Sequence, residues 1–283
     1  LGDSEMFPIS ASDQDQPCET FGVNSGIPIL KTIYDDGKGQ WHAGIGHLHK
    51  PVTKGNWITE TPTHLFSHTT MEREAHLVDP FQEDGWTSGV AGRMLDVLQR
   101  RGLAVSANGI DKKGPILEGD PQLGRTVDVI SSSGVNVLTR QSLTGTGNDV
   151  QSIEPLMQYL NQETSLETSG VFATNWAQNL IDVLDKTDAL SEMLSTDILD
   201  NDESFDDGNV GRQLKLVAKM MLLKEQRGVN RDVFLVHQGG HDGHALAKDT
   251  LQGLLPDINS GISAFYEEMK NREVFNDVTV VVI

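Results

Sequence analysis

The segment Val233-Phe-Leu-Val-His-Gln-Gly-Gly-His-Asp-Gly-His244 runs four apolar residues directly into glycines, three histidines and an aspartate. An apolar run of this kind predicts a strand covered on both faces, as in a parallel α/β sheet. Ligands of such sheets bind outside the carboxyl ends of the strands. Gly239, Gly240 and Gly243 permit a tight turn there, so that His237, His241, Asp242 and His244 can converge on an ion or an anionic substrate. The carboxylate supplies charge and the imidazoles a borderline-soft nitrogen, a combination suited to zinc or a similar ion. A plainer reading stands beside this one: Asp242 precedes a predicted helix and can be its N-cap, while His241 and His244 can be surface residues.

A second pair able to do chemistry is Ser67-His68, a hydroxyl beside an imidazole. Ser67 is equally suited to a loop or a helix start. His42, His47 and His49 include a His-x-His spacing at a predicted strand end, where water is the expected neighbour. The acidic run at 197–207 lacks the alternating ligands, Gly and distal Glu of a calcium loop, and Thr144-Gly-Thr-Gly147 lacks the Lys of a phosphate-binding loop.

Composition bounds the function. With 283 residues and 37% hydrophobic content the chain has material for one α/β domain over residues 1–283. A formal charge of -19 argues against nucleic acid and anionic membrane surfaces as partners, since both repel it. The lone Cys18 excludes an internal disulfide framework. No stretch reaches the roughly 18 apolar residues of a membrane span, and the first residues lack the regions of a signal peptide. Val278-Thr-Val-Val-Val-Ile283 reads as a central strand at the end of the sequence, so both ends are expected to be cut.

The elements that must position these residues alternate. Helices are predicted over 27–36, from the capping-box pattern Thr69-Thr-Met-Glu72 to about residue 78, and over 90–101 with Val90, Met94, Leu95 and Leu98 on one stripe. Further helices are expected over 172–190 through Trp176, Leu180, Ile181 and Leu184, and over 212–227 through Leu214, Val217, Ala218, Met221 and Leu222. A long apolar face from Leu251 to Met269 marks another, with Pro256 expected to kink or restart it. Strands are predicted over 40–45, 103–107, 126–130, 233–236 and from 278. Strands separated by helices predict an α/β fold with a largely parallel central sheet flanked by helices.

Several of these segments together resemble the bacterial family called domain of unknown function 1501, of the alkaline phosphatase-like superfamily. They are the Tyr34-Asp-Asp-Gly37 helix end, Ser67-His68, Gly85-Trp-Thr-Ser-Gly-Val-Ala-Gly-Arg93, Gly211-Arg-Gln-Leu-Lys215, Gly239-Gly-His-Asp-Gly-His244, Leu254-Leu-Pro-Asp-Ile-Asn259, Ala264-Phe-Tyr266 and the 278–283 strand. The resemblance implies an alkaline phosphatase-like fold, truncated at both ends because the family's first and last ligand segments have no counterpart. It implies a metal-dependent hydrolase of phosphate or sulfate esters, small-molecule or saccharide, with a divalent ion (zinc, manganese or calcium), and an exported protein. The family pattern Gly-Gly-x-Asp-Thr-His places the metal ligands at Asp242 and His244 with His241 beside them, Gly243 standing where the Thr is usual. Its Arg-Ser-His-Phe pattern places catalytic roles on Ser67 and His68, with Phe66 and Thr69 in the flanking places. The competing class is a noncatalytic binding or structural protein that retains the fold with an incomplete metal site.

Overall fold

A computed structural model of the chain describes residues 5–12, 17–42, 50–61, 65, 67–77, 88–133, 170–241 and 247–283. The chain packs as two compact units, one formed by Leu1–Val129 with Leu199–Ile283 and the other by Ile130–Ile198. The fold is mixed α/β, with seven helices and a three-stranded parallel sheet among the described residues. None of those helices is long and apolar enough to cross a membrane.

The first unit opens with an antiparallel pair, β1 (Met6–Ser10) and β2 (Thr20–Asn24), in register from Met6 opposite Asn24 to Ser10 opposite Thr20. Each strand buries one side chain, Ile9 and Val23, and these pack with α1 (Pro28–Asp35) and the last long helix around Tyr266. The pair was not legible in the sequence: Pro8 interrupts β1 and neither strand shows clean alternation of apolar and polar residues. Helix α1 starts on Pro28, whose fixed φ and missing N–H suit a first turn. Gly37 in the left-handed region (φ 69) closes it, its N–H bonding the Tyr34 carbonyl.

Helix α2 is a single turn, Trp57–Glu60. Helix α3 (His68–His76) begins before the predicted capping box, with Ser67 rather than Thr69 at the N-cap, because Glu72 is engaged elsewhere and does not reach back. Helix α4 (Val90–Arg100) buries Ala91, Gly92, Leu95 and Asp96, while the expected stripe members Val90 and Met94 stand 43% and 61% exposed. A charge partner rotates this helix: Arg125 reaches Asp96 at 2.7 Å, with both side chains nearly enclosed.

The sheet has the order β4-β3-β5, from β3 (Val105–Ile110), β4 (Val127–Ile130) and β5 (Arg231–Leu235). Strands β3 and β5 run parallel, from Val105 opposite Arg231 to Gly109 opposite Leu235. Leu95 and Ala91 of α4 pack with Ala107 and Leu117 against Val233 and Leu235. Val233, Phe234 and Leu235 are half-buried, so β5 is not covered on both faces as the apolar run suggested.

In the second unit α5 (Gly170–Leu194) buries Ala177 and Leu184. Of the predicted stripe, Leu184 is fully buried and Leu180 and Ile181 half-buried, while Trp176 alone turns outward at 61% exposure. Back in the first unit, α6 (Asn209–Leu222) and α7 (Ala247–Asn271) cross closely. At Gly261 an added Cβ would stand 2.8 Å from Val210 Cγ1 and 2.9 Å from the Gly211 nitrogen, so only glycine fits the crossing. Helix α7 continues through Pro256, neither stopping nor restarting. The proline is exposed, and so is Gln252, whose carbonyl it leaves without a helical donor but open to water. Tyr266 on α7 donates to Asp36 at the end of α1; that bond first, and Lys270 next, hold the Asp36 carboxyl below the ordinary carboxylate value.

Two predicted strands are absent from the described residues. Residues 40–42 form no ladder, the remainder of that prediction lying outside the described residues, and 278–283 have no strand partner, leaving Val281, Val282 and Ile283 more than 70% exposed. A β-branched run favours extended backbone, but only a neighbour's N–H and C=O groups make it a strand.

Candidate functional site at the carboxyl edge of the sheet

Residues just beyond the carboxyl ends of β3 and β5 meet residues of α3. Lys112 follows β3 after a turn in which Asp111 adopts φ 58. Its Nζ donates to Glu72 Oε1 on α3 at 2.7 Å and lies 3.5 Å from Nε2 of His237, which follows β5. The helix carrying Ser67 and His68 and the segment leading to Gly239-Gly240 are thereby linked at one edge through Lys112. Gly114 sits in the same corner: a Cβ there would lie 2.5 Å from Leu235 Cδ2 and 3.9 Å from the buried His76 Nδ1 of α3.

The backbone at His237 is held by a side-chain amide. Gln213 of α6, 1% exposed, accepts from the His237 N–H at 3.0 Å and donates to its carbonyl at 2.9 Å. It supplies the donor and acceptor that a neighbouring strand would otherwise give. Asn209 donates to the same carbonyl at 3.0 Å and to Gln238 Oε1 at 2.7 Å. Beyond this clamp Gly240 turns the chain with φ 88. Gln213→Leu is expected to cost about 1 kcal/mol by stripping the part-buried His237 N–H of its acceptor, and to move the His237 amide resonance. Urea denaturation and an amide correlation spectrum check both, and an unmoved His237 resonance would contradict the clamp.

Among the sequence candidates, Ser67 occupies the N-cap of α3 (φ -91, ψ 118) without a capping bond, and its Oγ lies 3.0 Å from Thr70 Oγ1, which donates to it. His68 is exposed on the first turn and His241 is exposed beyond the β5 clamp. Asp242 and His244 lie outside the described residues, as do His47, His49 and the Gly85-Trp86 segment. Among the described residues no group of three or more His, Cys, Asp or Glu side chains is arranged to hold a metal ion.

The electrostatics of the cluster have one resolved component. The hydrogen bond from Lys112 holds the Glu72 carboxyl below the ordinary 4.5 of a glutamate; partial desolvation opposes this, and the charges of Lys112, His76 and His237 add to the lowering. The sign follows: Glu72 contributes its stabilisation above the glutamate range and loses it as pH falls through its own lowered value.

Glu72, Lys112 and Gln213 were not picked out as site residues from the sequence. A signal existed for two of them. Gln213 is a polar residue on the apolar stripe of α6 between Val210, Leu214 and Val217, where an unpartnered amide would be costly. Lys112 belongs to the cationic turn Asp111-Lys-Lys-Gly114 at a strand's carboxyl end.

A cleft of about 380 Å³ opens at the other end of the sheet, lined by Gln99, Ala104, Ser106, Arg125 and Asp128 among others. Arg125 is already engaged with Asp96 there, and the chemistry-bearing side chains gather at the carboxyl edge instead. No family model, no curated protein and no solved structure matches the chain. What fold and edge define is a mixed α/β protein with a charged cluster beyond the carboxyl ends of parallel strands.

Proposed function

We propose that the protein is a metal-dependent hydrolase of phosphate or sulfate esters of the alkaline phosphatase-like kind, working at the carboxyl edge of its parallel sheet. One observation carries this reading: the Glu72–Lys112–His237 chain of contacts brings the helix of Ser67 and His68 to the same edge as the strand end that leads to His241, Asp242 and His244. An arrangement with α3 at the opposite edge of the sheet would have spoken against this reading.

The roles follow from the residue chemistry. Asp242 and His244, with His241 as the further ligand, would hold a divalent ion (zinc, manganese or calcium), whose chemistry when bound would be to polarise an ester oxygen and favour an ionised hydroxyl. Ser67 Oγ attacks phosphorus or sulfur: the bond from Oγ forms, the bond to the departing alcohol oxygen breaks, and that oxygen takes up a proton as the Ser67 proton is lost. The Thr70 hydroxyl donates to Ser67 Oγ and stabilises it as charge develops, and the N-terminal end of α3 adds positive potential. His68, next in the chain, is the candidate to carry the proton. Water then cleaves the seryl ester.

Asp242→Ala and His244→Ala are each expected to weaken metal affinity by at least about 10 to 100-fold, the effect seen even for groups that only support a ligand, and so to lower metal occupancy substantially. Ser67→Ala should abolish turnover of aryl phosphate or aryl sulfate. Elemental analysis of the purified variants and a chromogenic assay measure both. Undiminished metal in the Asp242 and His244 variants would favour the capping and surface readings, and a metal-free, well-folded wild type would favour a noncatalytic protein.

A further inference from the structure

We propose that Lys112 and His237 form the subsite that recognises the tetrahedral anion of the ester, with the Glu72 carboxylate holding Lys112 in place and competing with that anion for it. The choice of phosphate or sulfate rests on the hydrolase reading above; the subsite itself rests on the cluster. Lys112 Nζ lies 2.7 Å from Glu72 Oε1 and 3.5 Å from His237 Nε2. The Lys112 and Glu72 side chains are 42% and 43% exposed, and His237 is exposed, so a ligand can reach all three. An ammonium has three donors, and an imidazole carrying its proton on Nε2 is a fourth pointing to the same place.

Each group is fixed from below. The His237 backbone is clamped by Gln213 and Asn209. The turn holding Lys112 folds back on β3 so tightly that a Cβ at Gly109 would stand 2.2 Å from the Lys112 carbonyl oxygen. The neighbouring Lys113 is paired with Glu118 at 3.1 Å and is turned to other work. In a chain of formal charge -19, two cation-capable side chains anchored 3.5 Å apart beyond adjacent parallel strands form a local exception to the surrounding negative field. A tetrahedral oxyanion with three terminal oxygens offers more acceptors than the Glu72 carboxylate and a geometry that both groups can share.

Inorganic sulfate and inorganic phosphate, titrated calorimetrically into the whole protein at low ionic strength, test this. Lys112→Met is expected to weaken binding by about tenfold or more, the loss of a charge-assisted hydrogen bond, and His237→Asn to weaken it less. Glu72→Gln should strengthen it, a direction that a purely structural Glu72–Lys112 bridge would not produce. Thermal melts establish that each variant is folded. Equal affinity in wild type and Lys112→Met, weaker binding in a folded Glu72→Gln variant, or no anion binding by the wild type would overturn the subsite. Anion binding that depends on Lys112 without any ester turnover would leave the subsite standing and refute the hydrolase; turnover indifferent to Lys112 would do the reverse.

Discussion

Arg125→Met lowers the stability of the first unit by an expected ~3–5 kcal/mol, because it leaves the Asp96 carboxylate buried without its counter-charge. The Arg125 and Asp96 side chains are only 6% and 4% exposed, so water screens little of the loss. Arg125 also donates to the carbonyls of Gly92 at 2.9 Å and Leu117 at 3.3 Å, tying α4 to the turn that follows β3. The other Asp96 oxygen accepts from the Asp120 N–H at 2.8 Å. Replacing both partners, Asp96→Leu with Arg125→Met, should recover much of the loss, since an apolar pair removes the stranded charge. Urea denaturation of the single and double variants measures this, and a loss below about 1 kcal/mol, the range of an exposed pair, would mean the charges are solvated in solution.

Glu268→Ala is the second large effect, an expected loss of about 3 kcal/mol from a fully buried carboxylate. Glu268 on α7 is 0% exposed; it accepts from the Asp200 and Asn201 N–H groups at 3.0 and 2.9 Å and from Arg272 Nε at 3.2 Å. Truncation orphans two amides and takes the Glu268 carboxylate from Arg272, which keeps its bridge to Asp200 at 2.8 Å. Glu268→Gln keeps the shape and one acceptor oxygen, so it should fall between wild type and Ala in thermal denaturation. A Gln variant as damaged as the Ala variant would place the cost in charge rather than in the amide bonds.

The sequence made the helices legible where apolar side chains alone decide their orientation. Leu214, Val217 and Ala218 of α6 and Phe265, Tyr266 and Met269 of α7 are buried as their spacing predicts. It misled where a distant partner decides. Asp96 faces inward because Arg125 comes to meet it, and periodicity counts an aspartate as an outward residue. The strand over 233–236 and its carboxyl-end direction were readable from four apolar residues before glycines, and β5 ends at Leu235. The Lys112–His237 approach was not readable, since it is made by the pairing of β3 with β5, a long-range register that no local pattern encodes.

Segments quoted for the family resemblance also hold structural positions. Asp257 accepts from the Val210 N–H at 3.2 Å at the start of α6, and Asn259 accepts from the Ile29 N–H at 3.0 Å at the start of α1. Both stand within one turn of α7, and neither α6 nor α1 has a capping side chain of its own. Helix α7 is thus the shared keyway for two others. Rotating it by one residue position withdraws both caps together, so the starting points of α1 and α6 are not independent choices of the fold but a single setting, read from the angular position of one helix. Because Gln213 rides on α6, that same setting reaches the strand end at His237.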